Sequence, residues 1–117
     1  MIAEDEIPLL DSLAELFESY NFRVIKAVNG YDILEKFSDI KDIDLLVIYK
    51  RMPILDGIDC VKEIRKTDRN IPIIIASGSR GEQDKELGEL LINRYLKKPY
   101  NFDQLIDAVE ELLEKVS

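Results

Sequence analysis

Histidine and tryptophan are missing altogether, and cysteine occurs once in 117 residues. Without histidine the chain has no imidazole base, no His-ligated zinc and no phosphohistidine of its own. The solitary Cys60 closes no internal disulfide. No apolar run approaches the roughly 18 residues that a membrane-spanning helix needs. The opening MIAEDE has neither the basic start nor the apolar centre of a secretory signal. A cytoplasmic protein with no membrane partner is the expectation. Positive charge is scarce as well: 16 basic residues face 24 acidic ones, a net −8. A nucleic-acid-binding face needs clustered Lys and Arg to neutralise phosphates. Direct nucleic-acid contact by this chain is therefore not expected, whereas a basic protein surface would be a favourable partner.

What is present is an ordinary apolar fraction, 46%, enough at this length for one core and one domain over residues 1–117. No linker, repeat or low-complexity segment interrupts it, and nothing at either end is read as an output domain. Short apolar strands alternate with amphipathic stretches. Residues 1–3, 23–28, 44–49, 71–76 and 94–97 read as strands, the third and fourth apolar without alternation, as in strands covered on both faces. Residues 7–20, 31–38, 57–66, 82–91 and 101–116 read as helices from apolar spacing. Strand and helix repeated five times predict a doubly wound α/β fold, a parallel sheet flanked by helices on both faces.

Ligands of such sheets gather where the strands' carboxyl ends open on one edge. Here the sequence brings Glu4, Asp5 and Glu6 after the first strand, Tyr49 at the end of the third, Ser77 after the fourth and Lys98 after the fifth. Each has a plain explanation alone: acids favour a helix start, Lys98-Pro99 is a turn, and Ser77 is a loop hydroxyl. Their convergence from separate strands is what marks a site.

The segments IAEDE, RMPILDG, IIIASG and YLKKPY, at these spacings, resemble the receiver domain of bacterial two-component response regulators, and the resemblance spans essentially the whole chain. It implies a flavodoxin-like sheet of five strands in the order 2-1-3-4-5 with five helices. It further implies that Glu4 and Asp5 match the acid pair holding Mg²⁺, and that the Arg51 carbonyl matches the backbone ligand. Ser77 and Lys98 match the hydroxyl and lysine that bind the phosphoryl group, Pro99 the proline after that lysine, and Tyr95 the aromatic that rotates inward when the hydroxyl moves. Tyr95, Lys97, Tyr100, Asn101 and Gln104 fall on the surface through which such domains meet signalling partners, a histidine kinase or a downstream effector. Two departures are minor: the first strand begins about three residues late, and Leu91-Ile92 replaces the small pair usual before the fifth strand.

The major departure is Tyr49, which falls on the phosphoacceptor aspartate. A phenol of pKa near 10 is only about 0.1% ionised at neutral pH, and it lacks the second oxygen with which a carboxylate holds a metal. Two unit charges about 4 Å apart repel by roughly 4 kcal/mol at an effective dielectric of 20. Removing one of three crowded carboxylates thus lessens the need for a cation, and weak Mg²⁺ binding at most is expected. These residues predict a non-enzymatic pseudo-receiver acting through protein contacts. Tyr49 is expected to cap the pocket, its ring filling space and its hydroxyl bonding Lys98 or an acid; the alternative is a Tyr49 turned to solvent. Other readings are phosphorylation on a substitute, Tyr49 or Asp56, and a nucleotide- or flavin-binding domain. The latter wants a Gly-rich phosphate cradle, for which SGSRG (residues 77–81) is the sole candidate. A Ser77–Lys98 hydrolytic dyad lacks an oxyanion-hole signature.

Overall fold

The apolar runs become the centre of a five-stranded parallel sheet in the order β2-β1-β3-β4-β5. The structure is a computed structural model and describes residues 1–49, 56–77, 91–97 and 100–116. Its strands are β1 (Ile2–Ala3), β2 (Lys26–Ala27), β3 (Leu46–Tyr49), β4 (Ile73–Ser77) and β5 (Arg94–Lys97). The helices among the described residues are α1 (Ile7–Ser19), α2 (Gly30–Asp39), α3 (Gly57–Thr67) and α4 (Phe102–Val116). The strand order is the one expected. Strands one to three are shorter than their apolar spans, most of all β2, which pairs over two residues where six were expected. The helix expected around residues 82–91 falls outside the described residues but for Leu91, as do Arg51, Lys98 and Pro99.

Strand side chains alternate between two cores. Ala3, Leu46, Ile48, Ile73 and Ile75 pack with Ile33 of α2 and with Ile58, Val61 and Ile64 of α3. Ile2, Val47, Tyr49, Ile74 and Ala76 pack with Leu10, Leu13 and Phe17 of α1 and with Leu105, Ile106, Val109 and Leu112 of α4. With helices on both faces, every position of β3 is buried, which is why its sequence shows no alternation.

Local chemistry sets the helix ends. Asn29 accepts from the Asp32 amide at 2.8 Å to start α2, and Asp56 accepts from the Ile58 amide at 2.7 Å to start α3. Asn101 and Gln104 form a reciprocal capping box ahead of α4, each side chain accepting from the other's backbone N–H at 2.8 and 3.0 Å. After α1, Asn21 adopts φ 70°. The Phe22 and Asn21 amides then reach back to the Phe17 and Glu18 carbonyls, while the Phe22 ring meets Phe17 edge-on. This is a Schellman end, with its hydrophobic contact in place. Leu91 is the less comfortable case. It sits at φ 58°, a region in which a branched side chain is strained, and its carbonyl accepts from the buried Arg65 guanidinium at 2.9 Å.

Candidate functional site at the carboxyl edge of the sheet

The parallel register fixes which groups meet. Ala3 pairs with Ile48, so the next residues, Glu4 and Tyr49, emerge side by side on adjacent strands. The Glu4 amide donates to the Ala27 carbonyl at 3.0 Å, holding Glu4 between β1 and β2. Its side chain is only 2% exposed, and no buried side-chain polar atom among the described residues lacks a hydrogen-bond partner. Asp5 and Glu6, by contrast, are exposed. The two acids read as a pair from sequence are thus unlike in environment.

Tyr49 turns inward. It is 2% exposed and belongs to the core between the sheet and helices α1 and α4. The solvent-facing alternative does not describe this side chain. Its hydroxyl is hydrogen-bonded to the Tyr100 hydroxyl, from the residue just ahead of α4. Tyr100 is itself half-buried against the same core. The pair ties the end of β3 to the segment that follows β5.

Burial pushes the Tyr49 phenol far above its ordinary value, reinforced by the bond to Tyr100 and by the negative charge of Glu4. Burial also raises Tyr100, with Glu4 adding to the rise and the bond from Tyr49 opposing it. Both are therefore held in the neutral form at neutral pH. A phenol must ionise to attack a phosphoryl donor, so this arrangement works against Tyr49 as a nucleophile.

Ser77 ends β4 and pairs in register with Lys97, which is exposed. Tyr95 is half-buried toward the α2 and α3 core. Lys98 and Arg51 lie outside the described residues. Two positions expected on a partner surface also make internal bonds: Tyr100 bonds Tyr49, and the exposed Gln104 caps α4. Tyr100 as the partner of Tyr49 escaped the sequence reading. The available signal was a hydroxyl-bearing ring directly after Lys98-Pro99. The capping box was visible as Asn101 and Gln104, three residues apart ahead of an apolar run.

A divalent ion of the kind the resemblance implies does not fit the described donor set. Mg²⁺ asks for oxygen ligands, usually carboxylates and water, in near-octahedral array. The third strand offers a neutral phenol already bonded to Tyr100, and no group of three acidic, Cys or His side chains that could hold a metal occurs among the described residues.

A family profile described as response regulator receiver domain matches residues 1–110. The chain belongs to that family. Its relatives agree: it is 34% identical over 116 residues to the transcriptional regulatory protein CpxR of Escherichia coli K12, and 28% identical to PrrA of Mycobacterium tuberculosis. In both cases the match takes in 98% of this chain and 49% of the relative, so the chain spans about half the length of these curated relatives. Among solved structures it resembles the receiver domain of the Francisella response regulator 1452, at 30% identity and a TM-score of 0.89, covering 99% of this chain and 96% of that one. It also resembles TrrA of Thermotoga maritima, solved with Mg²⁺ and BeF, at 27% identity and a TM-score of 0.83, covering 95% of each chain. The receiver domain is a signalling module of two-component response regulators. No helix among the described residues is long and apolar enough to cross a membrane.

Proposed function

We propose that this receiver domain is a pseudo-receiver: it signals by protein contact without accepting a phosphoryl group. One observation carries the reading. Tyr49, standing where the resemblance puts the acceptor aspartate, is buried and hydrogen-bonded to Tyr100, with its phenol held neutral. Two bonded rings occupy the end of β3, where a phosphodonor would need a carboxylate. Glu4 is buried beside it and Asp5 faces solvent, so the metal that would assist transfer loses its donor set. The resulting domain has no enzymatic role and holds one conformation. Its partners are signalling proteins, a histidine kinase or downstream effector, met through the surface that includes Lys97 and the exposed face of α4. It makes no direct contact with nucleic acid or membrane.

Asp56 is the one substitute acceptor that is exposed, but its carboxylate is engaged in capping α3. Amide NMR spectra of the chain, taken with and without acetyl phosphate and Mg²⁺, test the proposal. They should superimpose. Saturable shifts confined to Glu4, Tyr49 and Ser77 would contradict it, and shifts centred on Asp56 and Ile58 would assign phosphorylation to the substitute.

A further inference from the structure

β2 lies at one end of the strand order, so one side of it faces no strand. Its inner side is fixed by two bonds: the Ile2 and Glu4 amides donate to the Ile25 and Ala27 carbonyls at 2.9 and 3.0 Å. Backbone groups alternate in direction along a strand. The Lys26 carbonyl and the Val28 amide therefore point to the open side, as do the amides of Val24 and Lys26. Such an edge is a ready template for another strand. Two side chains of α2 cover part of it. Lys36 donates to the Lys26 carbonyl at 2.5 Å, and Asp32 accepts from the Val28 amide at 3.0 Å. Lys36 also donates to that same Asp32 oxygen at 3.3 Å. The helix that carries both is anchored by the Asn29 cap and by the buried Ile33.

In a parallel ladder, one residue of the neighbouring strand donates to a carbonyl and accepts from the amide two residues further on. Beside Ala27 those two groups are the Lys26 carbonyl and the Val28 amide. Lys36 supplies the donor and Asp32 the acceptor. We propose that Asp32 and Lys36 stand in for one residue of a sixth strand, and so keep β2 from pairing with the β2 of a second copy. A second copy is the competitor because a two-fold axis sets identical edges face to face. Residues 23–28 also carry Val24, Ile25 and Val28, strand-forming side chains, yet pairing with β1 extends over two positions only. Lysine on an edge strand commonly guards against such pairing. Lys26 does not fill that role here, since Asp11 of α1 holds its ammonium at 3.0 Å and matches its charge. The guard rests on α2, whose i, i+4 spacing brings Asp32 and Lys36 to one helix face.

Hydrogen exchange and sedimentation of the parent, Asp32→Ala, Lys36→Met and Lys36→Arg, each followed from micromolar to millimolar concentration, test the proposal. In the parent the Val28 amide should be protected at every concentration. In dilute Asp32→Ala it should exchange about tenfold faster, the size of one lost hydrogen bond. It should slow again on concentration, as a second copy replaces the carboxylate. Lys36→Met removes the donor and keeps most of the stem. It should associate more than the parent, with new protection at Val24 and Lys26. Lys36→Arg retains a donor and should behave as the parent does. Asp32→Ala and Lys36→Met break the device at separate points, so either decides the matter should the other fail to fold. Three results would each overturn the proposal. The first is a folded variant that associates no more than the parent at millimolar concentration. The second is association that leaves the Val24, Lys26 and Val28 amides unchanged, which would place the contact elsewhere. The third is Lys36→Arg associating as strongly as Lys36→Met.

Discussion

At the carboxyl edge of the sheet, Tyr49 and Tyr100 close the space beside Glu4 with two rings and a pair of hydroxyls. At the amino edge, apolar walls surround an open hollow and a buried amine. The first edge is where parallel α/β sheets ordinarily keep their chemistry, and here its described side chains Glu4 and Tyr49 are buried. The second ordinarily serves the fold, and here burial lowers the amine that lies at it. A buried aromatic ring at the end of β3 thus places core packing at the carboxyl edge, beside the buried Glu4.

Four changes would break or sharpen this contrast. The largest effect is expected from Tyr49→Asp. It deletes a buried ring and sets a second carboxylate beside Glu4, so urea denaturation should show a loss of about 4 kcal/mol, in the range for truncating buried aromatics. Millimolar Mg²⁺ should recover part of that loss in the variant and none in the parent. A loss under about 1 kcal/mol would mean that the ring is not packed as described.

The amino edge should dominate the pH dependence near neutrality. The Met1 amine titrates at about 6 in the folded chain against an ordinary 8.0. Between those values the unfolded chain holds a proton that the folded chain has released, so stability rises from pH 6 to pH 8. The rise should be on the order of 2 kcal/mol at most, and acetylating the amine should flatten it. The two phenols of the carboxyl edge act at alkaline pH. Tyr49 and Tyr100 both have raised values, so their contribution is intact below about pH 10 and is lost above it, as the unfolded phenols ionise first. Urea midpoints measured from pH 5.5 to 11 would separate the two edges.

Smaller effects probe the hydroxyl pair. Tyr49→Phe and Tyr100→Phe should each cost about 1–2 kcal/mol, because each leaves a desolvated hydroxyl behind. The double variant should cost less than the two together, and a coupling below about 0.5 kcal/mol in that cycle would deny the bond. Smallest is Leu91→Gly, which relieves a left-handed residue and should add about 1 kcal/mol. That corresponds to a rise of roughly 3 °C in thermal midpoint.

Most of the fold could be read from residues because the physics is local. The unbroken apolar runs of β3 and β4 announce a doubly covered sheet, and Asp56 announces the cap it supplies. β2 was overread: residues 23–28 carry strand-like residues, but pairing requires a neighbour, and β1 offers only two positions. At the site, the adjacency of Glu4 and Tyr49 followed from topology alone. The Tyr100 partnership did not, since it depends on how two rings from distant segments share one pocket. Asn101 and Gln104 are placed on a partner surface by the resemblance to receiver domains, and both are exposed. Their use in the capping box shows that an exposed polar residue can be committed to the backbone. Interface variants at Tyr100 or Gln104 would perturb folding along with binding, and Lys97 or Asp107 is the cleaner choice.

The most direct test is intact-mass measurement of the parent chain and Tyr49→Asp side by side, after incubation with acetyl phosphate and Mg²⁺. The parent should keep its mass, and the variant, its acceptor carboxyl returned, should gain one phosphoryl group. A stoichiometric gain on the parent would contradict the account at its centre.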